Sequence, residues 1–392
     1  MSRLLVNQKG NQRRFIGWFL TIAIIISLPV QARAREQKQS SSAAPHVTTE
    51  WQVSPSLKFD VLCFLNVLTG DSFYLGHYQK HYDYFAPKLT TATKAALANL
   101  KRKLKDENGN IVSAFLSVHF SATEDQTISE MLLTLSKPGE MKSNLKKTVY
   151  FDERSWRLFE FVRVDLKVVL EFLEEQGFAD YWRINLLPGI QKRALALQED
   201  LAKFNVIPEV ERCTGFQLSS NRITIYLLRF AWPHGIRITG TRFVADVSYP
   251  LDVIAQNAIH EMLHPPYRLK DDDRLRKALD TLKSDSFLMD KVTNHNRSFG
   301  YNSFESFVEE DCVRALEQII TEKMGVARDA RQRWRAEDDG MHVLAVALYT
   351  LMKKTNYKSS NESFANFISR NIASGELKPG RIRAIYDSFY PN

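Results

Sequence analysis

The run His260-Glu261-Met262-Leu263-His264 carries the strongest chemical signal in this 392-residue chain. Two imidazoles four positions apart lie on one face of a helix, so both can reach a single cation. Glu261 sits about 100° round the helix from His260, because a turn holds 3.6 residues. That offset keeps its carboxylate off the ion but within reach of a water beside it. A zinc ion in such a place brings the pKa of water towards neutrality, and the neighbouring carboxylate takes the proton as water attacks a carbonyl. The chemistry indicated is metal-assisted hydrolysis, with Glu261 as base and then as proton donor to the leaving amine.

A catalytic zinc usually has three protein ligands and one open position, so the two histidines require a third group. A histidine six residues beyond His264, the metzincin spacing, would need Gly at 267 and His at 270. Tyr267 and Lys270 stand there, which excludes that arrangement. The run Phe307-Val308-Glu309-Glu310-Asp311-Cys312-Val313 offers Glu309 and Glu310 some 46 residues downstream, in a second predicted helix. Donors for a developing oxyanion are sought in His295, Tyr301 and Tyr267, all near the motif in sequence. Asp311 or Glu309 is placed to hold a ligand imidazole by its other nitrogen. His77 and His81 repeat the four-residue spacing, but Tyr78 occupies the place of the base, and an ordinary helix is expected. The acidic cluster at 271–273 lacks calcium-loop spacing and reads as a solvated turn.

The motif works only if residues 251–264 are helical. Pro250 and Asp252 suit a helix start, and Pro265-Pro266 stops it, since the residue before a proline is pushed out of the α region. Residues 222–230 (RITIYLLRF) and 236–247 (IRITGTRFVADV) are β-branched and aromatic, separated by Trp232-Pro233-His234-Gly235; two strands of a hairpin are predicted. The strand 236–247 is the expected edge for an extended substrate. One helix is predicted over 275–292, and a loop holds His295 and Tyr301. A long helix over 303–324 starts at a capping box of Asn302 and Glu305 and stops at Gly325, and further helices fall at 342–352 and 364–372. Upstream, 56–105 and 154–204 show helical spacing, the latter with a seam of Phe159, Phe161, Val162, Leu166, Val169, Leu170 and Phe172. The expected fold is α+β and helix-rich, with a small sheet beside the HExxH helix and a helical C-terminal lobe.

Residues 1–34 read as a secretory signal: Arg3, Lys9, Arg13 and Arg14 precede an apolar stretch from Phe15 to Val30 that ends in Ala32-Arg33-Ala34. The stretch is short for a spanning helix, so an exported chain, periplasmic or secreted and without a stable membrane span, is expected. Residues 35–50 are polar and read as a flexible linker, 51–215 as a helix-rich N-terminal region, and 216–392 as the catalytic region. The formal charge of +8 shrinks once the signal is set aside, because residues 1–34 hold five of the 53 basic residues and none of the 45 acidic ones. The remaining 48 against 45 give no electrostatic case for nucleic acid, and a peptide or protein substrate is the expected partner. Cys63, Cys213 and Cys312 could close at most one disulfide and are too scattered for a cysteine-based metal site.

With HExxH at 260–264 and FVEEDCVRAL at 307–316, the chain resembles the gluzincin superfamily of zinc peptidases, and more narrowly a bacterial family of exported metallopeptidase domains whose substrates are not established. The resemblance runs from about Ser56 to the C-terminus, and only NAIHEMLH and FVEEDCVRAL are specific. It implies a zincin-like fold, a Zn2+ cofactor and proteolysis. It also favours Glu310 over Glu309 as third ligand, since an aromatic residue, two residues and then the ligand is the common pattern. Two departures are visible: Arg314 stands where thermolysin-like enzymes have an Asp, and the Gly-x-Met-x-Asn signature of aminopeptidases is missing. An endopeptidase is therefore expected, the alternative being a catalytically inactive metal-binding envelope protein of the same fold.

Overall fold

The computed structural model describes residues 46–269, 272–296, 299, 301–357 and 362–391. The expected signal at 1–34 and most of the linker lie outside the described residues. Among the described residues one strand comes first, ten α-helices, α1 to α10, occupy residues 57–214, and three more strands lead to α11 to α18. The architecture is α+β and helix-rich, with one four-stranded mixed sheet. No helix among the described residues is long and apolar enough to cross a membrane. Cys63, Cys213 and Cys312 are all buried and form no disulfide.

The sheet is not the hairpin expected from sequence. Its strands are β1 (Glu50–Pro55), β2 (Arg222–Leu228), β3 (Ile236–Ile238) and β4 (Arg242–Asp246), in the order β1-β2-β4-β3. β2 runs parallel to both β1 and β4, and only the short β3 pairs antiparallel with β4. The run 236–247 breaks at Gly240, whose φ of 75° is open to glycine at no cost, and the chain reverses there. Ile223, Ile225, Leu227 and Leu228 are all buried, the near-continuous apolar run of a parallel strand covered on both faces. β1, with no counterpart in the predicted elements, begins at Glu50 in the last residue of the stretch read as linker. Ahead of it, His46 already meets Glu211 at 2.6 Å.

Helix α7 (Glu153–Glu175) shows how the upstream block packs. Asp152 caps it, and Trp156, Phe159, Val162, Leu166, Val169 and Leu170 line its buried face. Phe161, placed in that seam by sequence, is instead 59% exposed, since it lies about 100° from Val162 round the helix. The helix predicted over 275–292 is two, α12 (Asp273–Thr281) and α13 (Ser286–Asn294). Asp285 accepts the Leu288 amide and starts a new helix. Helix α14 (Phe304–Met324) has the predicted extent and ends on Gly325 at φ 71°. Its capping box is formed by Ser303 and Ser306, one residue later than the Asn302 and Glu305 pair expected.

Candidate metal centre

Helix α11 (Leu251–Leu263) carries the motif and packs against α14. His264 has already left the helix, with ψ at 127°, because Pro265 excludes the α region from the residue before it. Its imidazole nevertheless turns back to His260, and the two Nε2 atoms stand 3.1 Å apart. From α14, Oε2 of Glu310 lies 3.7 Å from Nε2 of His260 and 3.4 Å from Nε2 of His264. All three side chains are buried: His260 is 1% exposed, Glu310 0% and His264 8%.

These distances fit a cation. Four ligands tetrahedral about an ion at 2.0–2.2 Å sit about 3.4 Å from one another, the spacing seen here. The hydrogen bonds say the same. Nδ1 of His260 meets Oε2 of Glu317 at 3.0 Å, and Nδ1 of His264 meets Oε1 of Glu309 at 3.3 Å. With each Nδ1 donating to a carboxylate, both Nε2 atoms present lone pairs. Glu310 adds a third acceptor, since its Oε2 is buried without a hydrogen-bond partner. Three lone pairs facing one another in a dry interior would be stabilised by a positive charge between them. A buried His260, His264 and Glu310 group that could hold a metal ion is thus formed by the residues singled out in sequence. Glu309 lies outside it, on the far side of the His264 ring.

A frame of opposite charges holds this group. Arg314 Nε lies 2.6 Å from Oε1 of Glu310, and its Nη1 is 2.7 Å from Glu337. Arg333 joins Glu317 at 2.7 Å and Glu337 at 3.0 Å. Burial would raise the pKa of Glu310, but the neighbouring His260 and the Arg314 guanidinium outweigh it and hold the carboxyl well below its usual range. Glu310 is therefore ionised. Asp311 turns away from the histidines; it accepts from His342 at 2.7 Å and from the amides of Leu344 and Ala345, fixing α16 (Val343–Thr355) by its N-terminus. Its carboxylate holds a helix, whereas Glu309 and Glu317 hold the ligand imidazoles.

Glu261 is 0% exposed, and neither of its carboxylate oxygens has a hydrogen-bond partner. Burial raises its pKa, against the pull of His260 and His264. Beside it runs Gly235: a Cβ there would stand 3.6 Å from Glu261 Oε1 and 3.3 Å from Asn257 Nδ2. The segment leading into β3 therefore passes directly over the motif helix.

The other sequence candidates have varied surroundings. Tyr301 is buried close to Glu310, Arg314 and Asp338, its ring 6.3 Å from His342. Nδ1 of His295 meets the carbonyls of Lys291 and Val292, both at 3.0 Å, and its ring packs 5.7 Å from Phe307. Tyr267 is buried beside Cys312. His77 stacks on Trp232 at 4.5 Å and His81 bonds Tyr181, so they form no pair. In the charge cluster, residues 270 and 271 lie outside the described residues, and Asp272 caps α12. Sequence reasoning missed Glu317, Arg333, Glu337, Tyr150, Gly235 and Arg237. Glu310, Arg314 and Glu317 recur at helical spacing beside the apolar residues Phe307, Val313, Leu316 and Ile320, a signal that could have revealed the frame.

Compared with known proteins, the chain matches no family model, no curated protein and no solved structure.

Proposed function

We propose that this chain is an exported, zinc-dependent peptidase of the gluzincin type with a zincin-like fold. One observation carries the proposal: a carboxylate with two unpartnered, buried oxygens, Glu261, stands beside a convergent His260, His264 and Glu310 set. An ionisable group costs several kcal/mol to bury unsatisfied, and function is the common reason for keeping one. The donor set of two imidazoles and one carboxylate suits zinc, which takes three such ligands in its hydrolytic sites. When bound, zinc supplies a Lewis acid that polarises a carbonyl and makes water acidic near neutral pH.

The chain's own residues supply the rest. Glu317 and Glu309 fix the two imidazoles, and Arg314 turns Glu310. Glu261 accepts a proton from the attacking water and returns it to the amine that leaves. Gly235 keeps the space beside its Oε1 free of a side chain. β3, the edge strand of the sheet, offers the backbone along which an extended peptide lies.

The test is metal analysis with peptide-library cleavage on wild type and Glu261→Gln. One zinc per chain is expected in both, with cleavage reduced by about 10²–10⁴-fold in the variant. Equal cleavage by the variant would reject Glu261 as base. Zinc without cleavage in the wild type would leave a metal-binding protein, and no zinc in the wild type would reject the site.

A further inference from the structure

Arg237 has a guanidinium nitrogen buried without a hydrogen-bond partner. It lies at the centre of β3, and its Nε donates to the hydroxyl oxygen of Tyr150 at 2.6 Å. Its Nη1 is buried without a hydrogen-bond partner, and no carboxylate pairs with it among the described residues. The contrast with the metal frame is sharp, because Arg314 and Arg333 are each held by two glutamates. A buried donor on a permanently charged group is costly to leave empty. Tyr150 sharpens the point. Its oxygen accepts from Nε, so its own proton remains to be donated, and Nη1 and the hydroxyl together offer donors to one anion.

The place of this pair relates it to the reacting centre. Gly235 faces Glu261 and Asn257, and side chains alternate along extended backbone, so Arg237 leaves the chain on the same side as Gly235, about 7 Å further along. Ile236 and Ile238 point the other way and are buried. A peptide lying along β3 has the same rise per residue, so a group about 7 Å from the point of attack belongs to a residue next to the scissile bond or one beyond it.

We propose that Arg237 and Tyr150 form a subsite for a substrate carboxylate within two residues of the bond that is cut. This rests on the peptidase reading of the site and narrows it from a general endopeptidase to an enzyme that recognises an anion beside the scissile bond. The carboxylate has two sources in peptides, the C-terminal α-carboxylate and an Asp or Glu side chain. Both meet the same fork of donors.

The probe is a set of three dansylated pentapeptides of one sequence: free acid, C-terminal amide, and amide with Glu as last residue. Binding is read by fluorescence anisotropy on zinc-loaded Glu261→Gln protein, which reports affinity without turnover. At least one carboxylate-bearing peptide is expected to bind about 10-fold or more tighter than the plain amide. Preference for the free acid assigns the α-carboxylate, and preference for the Glu amide assigns an acidic side chain. Adding Arg237→Gln should erase the difference, and Arg237→Lys should retain part of it; unchanged zinc content shows that both variants fold. Equal binding of all three peptides, no binding of any, or discrimination that survives Arg237→Gln overturns the subsite. Wild-type cleavage separates this from the parent proposal. Discrimination in binding without cleavage of any peptide leaves the subsite standing and rejects the peptidase, whereas equal cleavage of acid and amides does the reverse.

Discussion

Arg314 Nε meets Oε1 of Glu310 at 2.6 Å from one helical turn away, and so leaves Oε2 of that carboxylate to the two imidazoles. A short contact on one oxygen thus decides which oxygen is available for an ion. A cation held by His260, His264 and Glu310 would then share one buried carboxylate with the Arg314 guanidinium. The remaining charge of Arg314 is met by Glu337.

Arg314→Met keeps the bulk and removes the charge. Breaking a buried ion pair by deleting one partner leaves the other uncompensated, at a cost of about 3–5 kcal/mol. In this centre the metal-free protein is expected to lose more stability than the zinc-loaded one, because the cation takes over part of the neutralisation of Glu310. Urea unfolding with and without zinc measures the difference. Equal losses in the two states would separate Arg314 from the metal centre.

Three glutamates on α14 surround the histidines, and each has a different expected effect on zinc affinity. Glu310→Gln removes an ionised ligand and is expected to weaken zinc by more than about 100-fold, beyond the range of an outer partner. Glu317→Gln disturbs the partner of His260 and should cost about 10–100-fold. Glu309 is 20% exposed in its side chain and makes a longer contact of 3.3 Å, so Glu309→Gln should cost about 10-fold or less. Competition with a chromophoric chelator gives all three numbers. A larger loss in Glu309→Gln than in Glu310→Gln would exchange their roles.

The three groups that converge, His260, His264 and Glu310, were legible because their spacing follows from one helix and one aromatic-led run. His260 and His264 share a face by periodicity, although Pro265 takes His264 out of the helix that predicts it. What sequence could not show was long-range pairing. β1 joins β2 across more than 160 residues, and no local pattern marks Glu50–Pro55 as its partner. The predicted hairpin failed because β3, which follows β2 in sequence, lies at the sheet edge, and β2 pairs instead with β4, in parallel. The charged frame was hidden because each of its pairs joins residues between four and 23 positions apart, and those beyond one turn carry no periodic signature. Tyr301 and His295 are near the motif in sequence, and the structure buries Tyr301 close to Glu310 and Arg314 and packs His295 against Phe307.

Gly235→Ala tests the open space beside the base. The backbone there is not in the left-handed region, so alanine carries no conformational penalty. Its methyl would stand 3.6 Å from Glu261 Oε1 and 3.3 Å from Asn257 Nδ2, where water or substrate must come. Thermal stability is expected to change little, while peptide hydrolysis falls by about 10- to 100-fold, the cost of small misplacements at a reacting centre. Melting and kcat measured on one preparation check it, and unimpaired hydrolysis would show that Gly235 does not border the reacting space.

Far from the metal centre, His119 gives the fold an acid limit. Its ring is buried on α4 (Val112–Phe120), stacked 4.6 Å from Phe159 at an interplanar angle of 7°. Its Nδ1 donates to the Phe115 carbonyl at 2.8 Å. Burial disfavours the imidazolium and lowers the pKa to about 4, and the Phe115 carbonyl recovers little of that. The unfolded chain binds this proton with a pKa of about 6.5, so between the two values the unfolded state holds more protons than the folded one. The contribution of the neutral ring is therefore complete above about pH 6.5 and is lost as pH falls towards 4, to a limit of about 3 kcal/mol. His119→Asn, neutral at every pH and still able to donate to a carbonyl, is expected to flatten this slope. Urea unfolding of metal-free wild type and variant at pH 7 and pH 4.5 isolates the term, since protonation of the other histidines is common to both proteins. Parallel stability curves for the two would mean that the folded protein accommodates the His119 proton without strain.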